Sequence, residues 1–247
     1  IPFILYNLIN SRNNKFLKII FFVFLLVTIY YIFLSNSRNA YLGLLFSFIL
    51  SFGTKFILIS ILILFLIYPL SIFSSYFFGI EALLTYLEQF INQLYIQITS
   101  FRLENLLSSA RFEIWRKSID IILQKPLLGW GSTTFGVLYI INKGIYGAQH
   151  SHNIILQMSQ NYGIIFSILI CTNLLLLIVF SLKVIYESRE KFNSIEYFWV
   201  ISIIVASTHQ LFDVVLFEGR LNFLYCILIT GAKTIIDNHK IKFEKSN

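Results

Sequence analysis

The 247-residue chain is 57% hydrophobic and only 13% charged, with 26 phenylalanines and 14 tyrosines. Soluble domains carry about 25% charged residues, so an ordinary globular enzyme is excluded and a polytopic helical membrane protein is expected. A net charge of +7 would suggest a nucleic-acid partner in a soluble protein. Here positive-inside anchoring accounts for it, and no nucleic-acid partner is expected.

The chain opens Ile1-Pro2 with no initiator Met and no signal-peptide pattern, and is read as the C-terminal part of a longer protein. Apolar runs over Ile19–Leu34, Tyr41–Phe52, Phe56–Ser74, Ile154–Leu182, Tyr197–Leu216 and Leu221–Ile236 read as six spans. Tyr41–Phe52 rises only about 18 Å and reaches across roughly 30 Å of hydrocarbon only if extended from Arg38 to Lys55 with both ends snorkelling. Cys171 and Cys226 lie inside apolar runs and read as small hydrophobes, neither a disulfide nor a metal site. Arg12, Lys15 and Lys18, then Lys55, then Lys183, Arg189 and Lys191, and finally Lys240, Lys242 and Lys245 fall on one side of this topology. By the positive-inside rule that side is the cytoplasm. Arg38, Arg111, His150, His152, Asp213 and Arg220 then share the extracytoplasmic face.

The expected fold class is an all-α polytopic membrane protein with about six transmembrane helices and an amphipathic interfacial or periplasmic helical segment. Its parts are three spans over 1–75, an outer segment over 76–153, three spans over 154–236 and a cytoplasmic tail over 237–247. Within the outer segment, Glu81–Arg102 is apolar at helical spacing. Ser108-Ser109 is the expected N-cap of a helix to Gln124, with Phe112, Trp115, Ile119, Ile122 and Leu123 on its apolar stripe. Pro126 stops it, Gly129-Trp-Gly131 is a turn, and Gly144–Gly147 is a flexible stretch. An amphipathic helix between spans is expected in the membrane interface.

Three readings stand for His150-x-His152. As metal ligands the pair is weak, because neither cysteine nor carboxylate lies near it in sequence, and no metal is expected. As a polar cap, Asn153 would satisfy the free backbone donors of the next span. As a catalytic base, an imidazole could accept a hydroxyl proton. Arg38 and Arg111 either snorkel or hold phosphate oxygens in a planar fork. Arg116 and Lys117 fit head-group contacts, and Trp115 and Trp130 fit interface anchors. Asp213 is either an arginine's partner or an active-site carboxylate.

Four motifs in one order resemble the O-antigen ligase/O-antigen polymerase superfamily. These are Ser37-Arg38-Asn-Ala40, Arg111-x-x-x-Trp115, Lys125-Pro-Leu-Leu-Gly-Trp-Gly131, and His150-Ser-His-Asn153 followed by Leu156-Gln157 and Tyr162-Gly163-Ile164. The resemblance runs from about Phe22 to Gly163. It implies a type-C, metal-independent, inverting glycosyltransferase in a bacterial inner membrane, with its active site on the periplasmic face and no cofactor. The donor would be a polyprenyl-diphosphate-linked glycan, the acceptor a lipid or another glycan, with membrane lipid around them. Carried over, Arg38 and Arg111 hold the donor diphosphate, His152 is the base, His150 fits a less constant position, and Asp213 resembles a late acidic residue. Asn153 and Arg220 complete the expected substrate-binding set. The rival is a transporter or flippase for lipid-linked sugars, which would need ionisable groups near the midplane. His209, about two turns from the outer end of its expected span, is the nearest such residue.

Overall fold

The computed structural model describes residues 1–11, 14–35, 37–53, 110–142, 147–187, 194–214 and 219–246. The expected span Phe56–Ser74, the apolar segment Glu81–Arg102, the Ser108-Ser109 cap and most of the Gly144–Gly147 stretch lie outside these residues. Arg38 is described by its backbone alone. The chain forms two compact units, Ile1–Ser51 with Glu113–Asn247, and Phe52–Phe112.

Among the described residues all regular structure is helical. The elements are α1 (Pro2–Asn10), α2 (Lys15–Ser35), α3 (Arg38–Phe52), α4 (Ala110–Gln124), α5 (Phe135–Ile141), α6 (Ile154–Tyr162), α7 (Ile164–Glu187), α8 (Ile195–His209) and α9 (Gly219–Ser246). Two of them, α2 and α7, are long and apolar enough to cross a membrane. Only 6% and 11% of their most apolar 18-residue stretches is buried. Helices that are apolar all round yet bury so little leave their side chains to lipid. The apolar helices Asn39–Phe52 and Ile195–His209 are shorter, and the expected sixth span, Leu221–Ile236, lies within α9, which is not among those long and apolar enough to cross.

α7, α8 and α9 pack on one another, α6 folds back onto α7, and α1 joins α2 to α8. α8 is the central element: Phe198, Val200, Ile201 and Ile203 are at most 1% exposed. Its close approach to α9 depends on Gly231, where an added Cβ would lie 2.2 Å from the Trp199 ring. The Trp199 indole N–H donates to the Leu228 carbonyl at 2.9 Å across the same contact. On its other side the Tyr197 hydroxyl donates to the Leu50 carbonyl of α3 at 2.6 Å.

Three expectations change. The run Ile154–Leu182, read as one span, is two helices that meet at Gly163, whose φ is +90°. The apolar run read as a span over Tyr197–Leu216 leaves the helix at His209 and turns, with Leu211, Phe212 and Asp213 N–H groups bonded back to the Thr208 and His209 carbonyls. On α4 the buried positions are Ile114, Ser118, Ile121 and Ile122, while Ile119 and Leu123 of the expected stripe are 48% and 65% exposed. α4 has apolar residues on two faces. The face that packs against Phe135 and Tyr139 of α5 is the one with the small Ser118, whose hydroxyl is satisfied by the Ile114 carbonyl at 2.7 Å. Ile119 and Leu123 stay outward with Leu127, Leu128, Ile140 and Ile141, all exposed. An apolar surface of this kind beside a polar face suits a membrane interface.

Candidate active site

The nine residues of α6 organise the polar part of the molecule. At its C-terminal end the last carbonyls have no intrahelical partner, and the turn after α4 supplies donors. Trp130 N–H donates to the Gln160 carbonyl at 2.8 Å and Gly131 N–H to the Asn161 carbonyl at 2.9 Å. In return Ile164 N–H donates to the Pro126 carbonyl at 2.8 Å. The backbones approach so closely that an added Cβ at Gly163 would stand 2.0 Å from the Leu127 carbonyl oxygen, and one at Gly129 2.6 Å from the Asn161 backbone. Both glycines also have positive φ, so two constraints converge on each. Trp130, expected as an interface anchor, instead turns its indole N–H inward to the Ile121 carbonyl at 2.9 Å, with the Lys125 ammonium 5.5 Å from the ring centroid.

Along α6 runs a buried amide chain. Gln157, Gln160 and Asn161 are at most 2% exposed, and buried amides must find partners. Gln157 Nε2 donates to Gln160 Oε1 at 3.1 Å and to Asn161 Oδ1 at 3.0 Å, and Gln160 Nε2 to Thr134 Oγ1 at 2.9 Å. Gln157 Oε1 faces the other way and accepts the Ser151 N–H at 2.8 Å. The interior of the helix thereby grips the loop that precedes it.

That loop is His150-Ser-His-Asn153. Asn153 is the N-cap of α6, and its Oδ1 accepts the Ile155 and Leu156 N–H groups at 2.9 and 3.1 Å. Its Nδ2 donates to the Leu211 carbonyl at 3.0 Å, and Ile154 N–H donates to the Gln210 carbonyl at 2.9 Å. These two bonds tie the start of α6 to the turn after α8. The result is a close pair: His152 Nδ1 lies 3.1 Å from Asp213 Oδ1. His150 joins it, its ring centroid 4.1 Å from that of His152. His152 adopts φ +51°, a left-handed conformation that costs a non-glycine residue energy and is met chiefly at functional sites.

Electrostatics favours an ionised Asp213. Burial by itself would raise the Asp213 carboxyl pKa, but the hydrogen bond and charge of His152, the Val214 N–H and His150 outweigh it and hold the group below its ordinary value. Asp213 is therefore a carboxylate and can only accept. In a neutral His152 the hydrogen between them sits on Nδ1 and the lone pair on Nε2, whereas the protonated ring, whose charge helps to hold Asp213 ionised, has none. Burial lowers the His150 pKa, the neighbouring His152 lowers it further, and Asp213 opposes both. His152 and Asp213 keep side-chain exposures of 29% and 39%, so a substrate can reach them.

A second component comes from α3. Asn39 Nδ2 donates to the His209 carbonyl at 3.2 Å, the same oxygen that accepts Asp213 N–H at 3.0 Å. The backbone of Arg38, next in the chain, is thus carried to the Asp213 turn. His209, considered as a midplane group from sequence, is the last residue of α8 at this same end. Arg111 stands exposed in the first turn of α4 and belongs to the unit Phe52–Phe112. Arg220 is exposed in the first turn of α9, with no partner among the described residues. From the start of α6 and the α8 turn, an apolar cleft of about 580 Å³ runs between α6, α7, α8 and α9, lined by Ile154, Met158, Leu174, Ile178, Leu211 and Tyr225.

Sequence reasoning had treated Asp213 as a loosely placed acid and had seen no carboxylate near the histidines. Its partnership with them, and the roles of Gln157 and Gln210, emerge only in three dimensions. The buried polar residues Gln157, Gln160 and Asn161, three in the first turns of an expected span, were the available signal.

The described residues thus form an apolar helical protein with a histidine–carboxylate pair at the mouth of a short helix. The family model for O-antigen ligase matches residues 21–171, and the chain belongs to that family. The match takes in α2 to the first turns of α7, hence Arg38, Arg111 and the His150–Asn153 loop, while Asp213 and Arg220 lie beyond it. No curated protein and no solved structure matches the chain. Membership places it among membrane proteins of bacterial cell-envelope polysaccharide synthesis, glycosyltransferase-like ligases and polymerases that act on lipid-linked glycans and acceptors.

Proposed function

We propose that the protein moves a glycan from a polyprenyl-diphosphate carrier to an acceptor hydroxyl, at the periplasmic face of the inner membrane and without a metal ion in the step. The observation that carries this reading is the 3.1 Å contact of His152 with Asp213. In the neutral ring that contact supports the tautomer whose Nε2 can take a proton. The acceptor O–H gives its proton to His152 Nε2 as its oxygen attacks the anomeric carbon. The bond from that carbon to the diphosphate oxygen breaks, and the anomeric centre inverts. Negative charge grows on the leaving diphosphate, where Arg38 and Arg111 stabilise the transition state more than the ground state. Arg220, His150 and Asn153 complete the substrate contacts, and the apolar cleft beside the site takes part of the prenyl chain. A transporter would place ionisable groups along its spans at the midplane, whereas His209, the only ionisable residue in the last turn of α8, stands beside the Asp213 turn.

The test is transfer from a purified polyprenyl-diphosphate glycan in detergent, with and without EDTA, for the wild type, His152→Ala and His150→Ala. Loss confined largely to His152→Ala and indifference to EDTA are expected. Equal loss in both variants would remove His152 as the base, and EDTA inactivation reversed by Zn²⁺ or Mg²⁺ would end the metal-free step.

A further inference from the structure

We propose that His150, His152 and Asp213 form a binding site for Zn²⁺ or a similar transition-metal ion, and that its occupancy switches transfer off. The three residues each offer one ligand atom, and these atoms lie within 4.8 Å of one another. Two histidines and one carboxylate, with room left for a fourth ligand, is a common set for an accessible zinc site. Ligand atoms on bonds of about 2.0–2.1 Å lie about 3.4 Å apart in a tetrahedron, so the 3.1 Å edge between His152 and Asp213 already has the required size. No edge has to close by more than about 1.4 Å. His150 precedes the Asn153 cap and lies outside any helix, and to close on the ion it would release the His152 N–H that its Nδ1 accepts at 3.4 Å, or bind through Nε2.

The other two ligands are held. Asp213 Oδ1 accepts the Val214 N–H at 2.9 Å, and His152 is fixed by the capped start of α6. Orientation of ligands by outer hydrogen bonds raises metal affinity. The donor set also selects the ion: imidazole suits zinc, cobalt and nickel, whereas Mg²⁺ and Ca²⁺ want oxygen ligands, of which this cluster offers one carboxylate.

Inhibition follows from the single lone pair of a neutral imidazole. If His152 binds the ion through Nε2, the lone pair that would take the acceptor proton is used. If it binds through Nδ1, the ring hydrogen moves to Nε2 and that nitrogen can no longer accept. Either geometry removes the base. This consequence rests on the transfer reading, whereas the binding itself does not.

The experiment uses the full chain in detergent, purified without a histidine tag, and titrates Co²⁺ by its visible absorption with Zn²⁺ as competitor. One saturable Co²⁺ per chain is expected, displaced by Zn²⁺ and indifferent to millimolar Mg²⁺. Affinity should fall more than about tenfold in His150→Gln and in Asp213→Asn, since loss of a ligand exceeds the effect of an outer-shell change. Wild-type transfer should fall about 10²–10⁴-fold with Zn²⁺ bound, as for loss of a base, and return with EDTA. Absence of saturable Co²⁺ binding, or binding that both variants retain in full, overturns the metal site and leaves the transfer reading standing. Zn²⁺ bound with transfer unchanged overturns the switch. A wild type that EDTA inactivates and Zn²⁺ restores overturns the switch and the metal-free step together.

Discussion

The two ends of α6 are built to different rules. At the C-terminal end, the Pro126–Gly131 turn and Gly163 meet backbone to backbone, with no space for a Cβ at either Gly129 or Gly163. At the N-terminal end, half-exposed titratable side chains meet across 61 residues of sequence, and a histidine holds a φ of +51°. One end is close-packed, and the other leaves titratable groups partly exposed. Motifs of both kinds sit within 40 residues of each other, so a motif's presence does not say which it is. The difference should show in what a substitution damages: rate at the mouth, quantity of folded protein at the turn.

The largest effect on rate is expected at the mouth. His152→Ala should lower transfer about 10²–10⁴-fold while membrane-inserted protein stays near the wild-type level, measured by detergent-extracted yield. A parallel fall in yield would mean that His152 is there to shape the loop. Next come the arginines. Arg38→Ala and Arg111→Ala should each cost at least about 10²–10³-fold, the range for loss of one preorganised charge donor. Arg111→Lys should recover little, because an ammonium does not reproduce a bidentate fork. Full activity in Arg111→Lys would turn diphosphate binding into simple snorkelling.

The turn should behave oppositely. Gly163→Ala combines a φ of +90° with a 2.0 Å clash on the Leu127 carbonyl, and strain with overpacking of this kind costs roughly 1–3 kcal/mol or more. Yield and melting temperature in detergent should fall, while the transfer rate per folded molecule changes little. Gly53→Ala is the control for positive φ without contact, since its Cβ would meet nothing within 4 Å. If Gly163→Ala is no worse than Gly53→Ala, close packing is not what this glycine is for.

This contrast also explains what could be read in the sequence. The apolar class, the family, the Pro126 stop and the Asn153 cap are local or compositional, and each has a physical signature within a few residues. The break at Gly163 was readable but outweighed by the apolar run around it, since a single glycine is tolerated within a helix at about 1 kcal/mol. The buried face of α4 was read only in part, Ile122 being buried but Ile119 and Leu123 exposed, because two faces are apolar and packing against α5 chooses between them. The carboxylate beside His152 had no local signature. Asp213 arrives through the end of α8 at His209, the Asn153–Leu211 bond and the Ile154–Gln210 bond, and nothing in a period or spacing encodes that closure.

The smallest effect should come from Gln157, which touches neither substrate nor reacting atoms and connects the two ends. Its Oε1 holds the Ser151 N–H, one residue before His152, while its Nε2 is anchored on Gln160 and Asn161, whose carbonyls the turn caps. Gln157→Leu leaves a buried N–H without an acceptor, at about 1–3 kcal/mol. If about half of that loosens His152 relative to Asp213, kcat falls roughly two- to tenfold. KM for the donor should hold, because Gln157 positions the base and not the diphosphate. Gln157→Glu is the conservative partner: at 1% exposure a carboxyl stays protonated and keeps both an acceptor and a donor. Most of the kcat should therefore return in Gln157→Glu. A rise in KM with kcat unchanged, or a Glu variant no better than Leu, would disconnect the amide chain from the base and leave Gln157 as packing alone.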